Sequence, residues 1–181
     1  MALKATIYKA SLGIADMDRH YYADHALTLA QHPSETDERM MIRLLAFALN
    51  ADENLTFTRG LSTDDEPDLW EKDLTGHIRL WIELGLPDED RIRKASNRAD
   101  KVIVYAYGGR QAGIWWDKHH NKLERYGNVT VINLPEEATT ELPSLMERTM
   151  TLQLTIQDGD VTIGNHSNMV SIRPEYFMAR D

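Results

Sequence analysis

Asp68-Leu69-Trp70-Glu71-Lys72-Asp73-Leu74-Thr75-Gly76-His77-Ile78-Arg79-Leu80-Trp81-Ile82-Glu83 is the stretch on which the fold turns. In its second half Ile78, Leu80 and Ile82 alternate with Arg79, Trp81 and Glu83, the two-residue period of a strand. Leu69 to Lys72 is a second short β-prone run, and Thr75-Gly76 supplies a turn between the two, so the stretch predicts an antiparallel hairpin. A turn centred there pairs residues whose numbers add to about 151, which sets Asp68 opposite Glu83 with Cβ atoms about 5 Å apart.

Working outward, Gly85 and Pro87 end that strand, and Asp88 or Asp90 caps a helix running to about Arg98. The apolar run Lys101 to Tyr107 reads as a buried strand, and the intervening helix is long enough for a parallel crossover. A further helix from Arg110 to about Tyr126 leads to a strand at Val129 to Leu134. Another helix begins at Pro135-Glu136-Glu137 and has to accommodate Pro143. Toward the N-terminus, Leu3 to Ile14 and Tyr21 to Ala30 flank a polar turn and predict a long hairpin. Pro33-Ser34 then opens a helix to about Asn50, with Ser34 or Thr36 as N-cap. At the other end, Asp158-Gly159 joins Met150 to Ile156 with Val161 to Ile163 in a third hairpin. The expected fold class is α/β, with a mixed central sheet, flanking helices, and N- and C-terminal antiparallel hairpins. At 181 residues, the length predicts a single domain over 1–181.

Composition excludes several classes of function. The chain has no cysteine, so disulfides, thiolate zinc sites and cysteine nucleophiles are absent. No apolar run reaches the roughly 18 residues that cross a bilayer, and the N-terminal stretch lacks a signal-peptide core, which predicts a cytoplasmic protein away from membranes. A formal charge of −9 opposes broad duplex binding, which needs clustered Lys and Arg. Gly108-Gly109 lacks the spacing of a dinucleotide fingerprint, and no phosphate loop or nucleophile elbow occurs. The histidines do not assemble: His119 and His120 are adjacent and point to different sides of a helix. Trp81, Trp115 and Trp116 read as core or interface aromatics, and Arg59 as a salt-bridge partner of nearby carboxylates.

The chemistry rests on carboxylates. Hard divalent cations such as Mg²⁺ or Mn²⁺ take oxygen ligands and keep several waters, so Asp68 and Glu83 are sufficient protein ligands. Glu38 sits four residues before Ile42 on the apolar stripe of the first helix, where it is either a third or water-mediated ligand or a partner of the helix dipole. A lysine could orient the attacking water or neutralise charge developing on a phosphate.

His32-Pro33-Ser34-Glu35-Thr36, Glu38-Arg39-Met40-Met41, Arg43-Leu44-Leu45-Ala46, Phe57-Thr58-Arg59-Gly60-Leu61, Asp65-Glu66-Pro67 and the run Leu80 to Glu89 together resemble the characteristic string of the YaeQ family. Arg148 to Leu152 and Thr155 to Gly159 resemble it too, so the likeness covers essentially the whole chain. It implies a modified PD-(D/E)XK nuclease core in a poorly characterised family. On that pattern Pro67-Asp68 matches the leading pair, Glu83 the second acidic position and Glu38 the acidic residue of the first core helix. The pattern departs at Gly85, where a lysine is expected. The following helix offers Arg91, Arg93, Lys94 and Arg98 in its place. Lys94 is the first choice and Arg91 the second, because a lysine can shift its pKa when partly buried and an arginine stays charged.

Two readings of function follow. In one, a Mg²⁺- or Mn²⁺-dependent phosphodiesterase or nuclease acts on nucleic acid, with Asp68 and Glu83 holding metal, Glu38 assisting and Lys94 activating water. In the other, a non-catalytic interaction module in gene expression keeps the carboxylate pocket as structure, with a protein as partner. The acidic charge and Gly85 favour the second. A small-molecule enzyme using the same pocket stands third.

Overall fold

The computed structural model describes residues 4–59 and 65–180. The start of the predicted opening strand, and Gly60 and Leu61 of the family-like segment Phe57 to Leu61, lie outside the described residues. The chain begins β1 (Thr6–Asp16), β2 (Tyr21–Gln31), α1 (Asp37–Leu49), β3 (Leu55–Phe57), β4 (Leu69–Lys72) and β5 (Ile78–Leu84). It continues α2 (Glu89–Arg98), β6 (Ala99–Ala106), α3 (Arg110–Leu123), β7 (Val129–Asn133) and α4 (Glu136–Thr139). After a 3₁₀ turn at Leu142–Leu145 come β8 (Thr149–Gln157), β9 (Asp160–Gly164), β10 (Met169–Ile172) and β11 (Glu175–Met178). The protein is thus a mixed α/β molecule, as expected, with two mixed sheets.

These elements fall into two compact units. One takes the residues up to Ala48 together with Glu137–Pro174, the other takes Leu49–Glu136 and the residues from Glu175 onward. In the first unit, the N- and C-terminal hairpins are not separate additions. β1 runs parallel to β8, which fuses them into a five-stranded sheet in the order β10-β9-β8-β1-β2. Nothing local in the sequence announces that pairing, since its partners lie about 140 residues apart (Lys9 with Thr149). At the tips, Asp18 accepts hydrogen bonds from the Asp158 and Gly159 amides and ties one turn to the other. Asp158 (φ 52°) and Gly159 (φ 79°) form the tight left-handed turn that the Asp-Gly pair favours.

α1 starts at Asp37 rather than at Pro33-Ser34, because Thr36 is the residue whose Oγ1 accepts the Arg39 amide, at 3.1 Å. Its inner face carries Met40, Met41, Leu44, Leu45 and Ala48, all fully buried. Arg43 is buried among them. Its guanidinium donates to both oxygens of Glu35, Nε to Oε2 at 2.9 Å and Nη2 to Oε1 at 2.8 Å.

In the second unit the order is β11-β7-β6-β5-β4-β3, with β5, β6 and β7 mutually parallel and both crossovers carried by a helix. One face packs Trp81, Val102, Val104, Val129 and Val131 against Ile92 and Ala95 of α2 and Ala112, Trp115 and Leu123 of α3. The hairpin register agrees with the sequence, with Leu69 opposite Ile82 and Trp70 opposite Trp81. The expected alternation does not survive along all of β5. An irregularity pairs Lys72 with Ile78, and from Leu80 to Leu84 every residue is buried. A central strand flanked on both edges buries both faces, and the two-residue period fades. The helix at Pro135 shrinks to the single turn of α4, and Pro143 sits in the 3₁₀ turn that follows.

Removing Glu35 leaves the buried Arg43 guanidinium without the two carboxylate oxygens it holds. Glu35→Ala is expected to lower unfolding stability by about 3 kcal/mol in urea titrations. A loss under about 1 kcal/mol would show the pair to be incidental.

Candidate functional site

The site belongs to the second unit and grows from the β4–β5 hairpin. Asp73 shapes its turn, Oδ1 accepting the amides of Thr75 (2.8 Å) and His77 (3.0 Å), and Gly76 takes φ +87°. Upstream of β4, the Asp68 amide donates to the Ile82 carbonyl at 3.0 Å, so the ladder extends one residue past the strand. That extension carries the register on to Asp68 and Glu83, which are 5% and 4% exposed.

Each carboxylate meets backbone or side-chain donors. Asp68 Oδ2 accepts the Leu84 amide at 2.9 Å. Glu83 Oε1 accepts two donors, the Trp81 indole Nε1 and Arg91 Nε, each at 2.8 Å. Among the described residues no hydrogen bond falls on Glu83 Oε2. Burial pushes the Glu83 carboxyl above its ordinary 4.5; Arg91 pulls it down, the Asp68 charge adds to the rise, and the Trp81 bond opposes it. The net shift is upward, so the ionised form is under-compensated even with an arginine in contact.

Arg91 is placed by α2. Asp88 accepts the Arg91 amide at 2.9 Å and starts the helix beside the end of β5. From there Arg91 Nη2 also reaches the Glu66 carbonyl, at 2.8 Å. Two turns on, Arg98 donates to the Asp65 carbonyl and lies 5.0 Å over the Trp81 ring. Glu66 Oε2 is buried and, among the described residues, has no hydrogen-bond partner.

Of the residues singled out in the sequence, Asp68 and Glu83 come together. Lys94 is exposed on α2, and the cation on Glu83 is Arg91, the second choice. The helical wheel holds the reason. Ile92 and Ala95 define the inward face of α2; Arg91 lies about 70° from its centre and Lys94 about 130°, at 100° per residue. Glu38 lies half-buried on α1 of the first unit. Arg59 is exposed. Trp81 sits in the core as expected, but its role as donor to Glu83 was missed; the spacing of two along one strand was the available signal. Glu66 entered the sequence reading only within the family-like segment Asp65-Glu66-Pro67. Trp115 is core, its indole donating to the Pro87 carbonyl at 2.7 Å. Among the described residues, no three His, Asp or Glu side chains converge closely enough to cage a metal ion. None of the described helices is long and apolar enough to cross a membrane.

These features define an α/β protein whose mixed sheet ends in a buried carboxylate pair answered by an arginine from the next helix. A family model described as "YaeQ protein" matches residues 1–174. The chain is 52% identical over 173 residues to the uncharacterised YaeQ protein of Salmonella typhi, covering 96% of each. It is 50% identical over 172 residues to that of Escherichia coli K12, covering 95% of each. The crystal structure of the YaeQ protein from Xanthomonas axonopodis pv. citri superposes with a TM-score of 0.95 at 54% identity, over 97% of this chain and 99% of that one. The YaeQ protein from Pseudomonas syringae superposes with a TM-score of 0.92 at 35% identity, over 97% of both chains. The chain belongs to the YaeQ family.

Glu83→Gln tests the electrostatics. A carboxyl whose folded pKa is raised binds its proton more tightly in the folded state, so its contribution to stability is present below 4.5 and is lost as pH rises through the folded value. Arg91 is 25% exposed and keeps its bond to Glu66, so it is not stranded as a dry cation. The variant is therefore expected to match wild type near pH 4 and to exceed it in melting temperature at pH 7. A variant less stable than wild type at pH 7 in chelator would show that the Arg91–Glu83 ion pair dominates instead.

Proposed function

We propose that Asp68 and Glu83 form the cation-binding centre of a metal-dependent phosphodiesterase that acts on nucleic acid, built on a variant of the PD-(D/E)XK core. The observation that carries this reading is the state of Glu83: buried beside Asp68, raised in pKa, with both its donors on one oxygen. The buried Glu66 Oε2 adds a second acceptor that, among the described residues, has no donor, in the segment leading to Asp68. Two carboxylates plus water fit Mg²⁺ or Mn²⁺, which bind through few protein ligands and rarely in an all-protein cage. Such a cation supplies Lewis-acid polarisation of a phosphate oxygen and a water of lowered pKa.

The chain's own groups would then divide the work. Asp68 and Glu83 hold the cation, and Trp81 and the Leu84 amide fix the carboxylate oxygens not facing it. Arg91 neutralises charge developing on the phosphate, a role suited to a guanidinium that stays protonated. Lys94 and Arg98, exposed on α2 beside an Arg93 that pairs with Asp90, would offer cations to a phosphate backbone.

A second reading has its own support. Gly85, at the position of the motif lysine, takes φ +101°, a conformation that side chains other than glycine rarely adopt. With Arg91 already on Glu83, the pocket also suits a non-catalytic interaction module in which the ion pair is structural.

Thermal melts in Mg²⁺ and Mn²⁺ separate the two. At ten times the dissociation constant, linkage raises stability by about 1.4 kcal/mol, a shift of a few degrees for a chain of this size. The shift is expected in wild type and absent in Asp68→Asn, together with cation-dependent cleavage of labelled single- or double-stranded DNA or RNA that Asp68→Asn abolishes. Melting temperatures unmoved by tens of millimolar of either cation, with no cleavage, would leave the interaction module as the surviving reading.

A further inference from the structure

The four sheet edges of the molecule are not alike. β3, β10 and β11 are three or four residues long, the usual way of making an edge harmless. β2 is an edge of the first unit's sheet and runs for eleven residues, paired to β1 without a bulge from Tyr21 to Gln31. It contains no proline, lysine or arginine, the residues that most often blunt an edge. Among the described residues no hydrogen bond reaches its outer side between Tyr22 and Leu29; Arg43 Nη2 closes only the far end, at the Ala30 carbonyl. Its core-facing row is unfinished as well. Ala23, His25 and Leu27 are half-buried, while their partners on β1, Ile14, Leu12 and Ala10, are at most 4% exposed.

We infer that β2 pairs antiparallel with β2 of a second copy, about a two-fold axis at Ala26, to make a continuous ten-stranded sheet. The occupant is a second copy because the strand is complementary to itself in this register. The only charged residue in it, Asp24, faces Thr28 of the other copy, His25 faces Leu27, and Ala26 faces Ala26. An axis two residues earlier would set Asp24 against Asp24 and is disfavoured by like-charge repulsion. The pairing satisfies exposed amides and carbonyls and covers the half-buried row at once. Eleven residues a side is well below the roughly 20–30 of a standard interface, so the dimer is a weak and reversible one.

Sedimentation velocity from about 1 μM to 1 mM protein is expected to show a concentration-dependent monomer–dimer equilibrium, a weak range for an interface of this size. Ala26→Lys and Ala26→Glu, both at an exposed position, should each weaken dimerisation at least tenfold, and an equal mixture of the two should restore it. Because the chain has no other cysteine, Ala26→Cys should form a disulfide-linked dimer on mild oxidation, whereas Ser171→Cys on β10 should not. A wild type that stays monomeric throughout overturns the inference. So does a dimer indifferent to both charges, or one that the mixture fails to rescue.

Discussion

Asp68 and Glu83 place two carboxylates side by side where almost no water reaches them, and the surrounding chain is arranged to answer that charge. In so poor a dielectric, each unit of charge interacts far more strongly than at the surface, and an unanswered one is costly. Among the described residues, the answers include the Leu84 amide at Asp68, the Trp81 indole at Glu83, and the Arg91 guanidinium from α2. They are incomplete, since burial still holds the Glu83 carboxyl above its ordinary value.

The same constraint organises the local chain. Arg91 and Arg98 reach over α2 to the carbonyls of Glu66 and Asp65, so the helix that neutralises the carboxylates also holds down the strand-entry segment that delivers Asp68. Gly85 follows from the geometry too. The chain leaves β5 through a positive φ, and its amide donates to the Tyr105 carbonyl at 2.9 Å. A lysine there would have to adopt a left-handed conformation at a cost of about 1–2 kcal/mol. The cation that meets Glu83 comes instead from the helix, as Arg91.

What was legible in the sequence, and what was not, follows the range of the interactions involved. Thr75-Gly76 and Asp158-Gly159 are local turn chemistry, and a hairpin formed around each, the first in the expected register from Leu69 to Glu71. Asp88 was readable as a cap because capping spans three residues. The β1–β8 pairing was not, because parallel strands are joined by tertiary packing and leave no turn to read. Lys94, preferred for its chemistry, stands on the exposed side of α2, a direction readable from the inward positions Ile92 and Ala95. The hydrogen-bonding roles of Glu66 and Trp81 were not legible for a related reason: a shared donor, or an acceptor without a partner among the described residues, exists only once the strand ends are packed.

The proposed cation centre turns on Glu83 Oε2, the oxygen opposite the one that Trp81 and Arg91 hold. Anomalous diffraction from crystals soaked in Mn²⁺ locates a bound ion directly. The predicted result is a peak about 2.1 Å from Glu83 Oε2 and from an Asp68 carboxylate oxygen, with Arg91 still on Oε1. An Asp68–Glu83 pocket without a peak at saturating Mn²⁺ would contradict the cation centre and leave the carboxylate pair as framework.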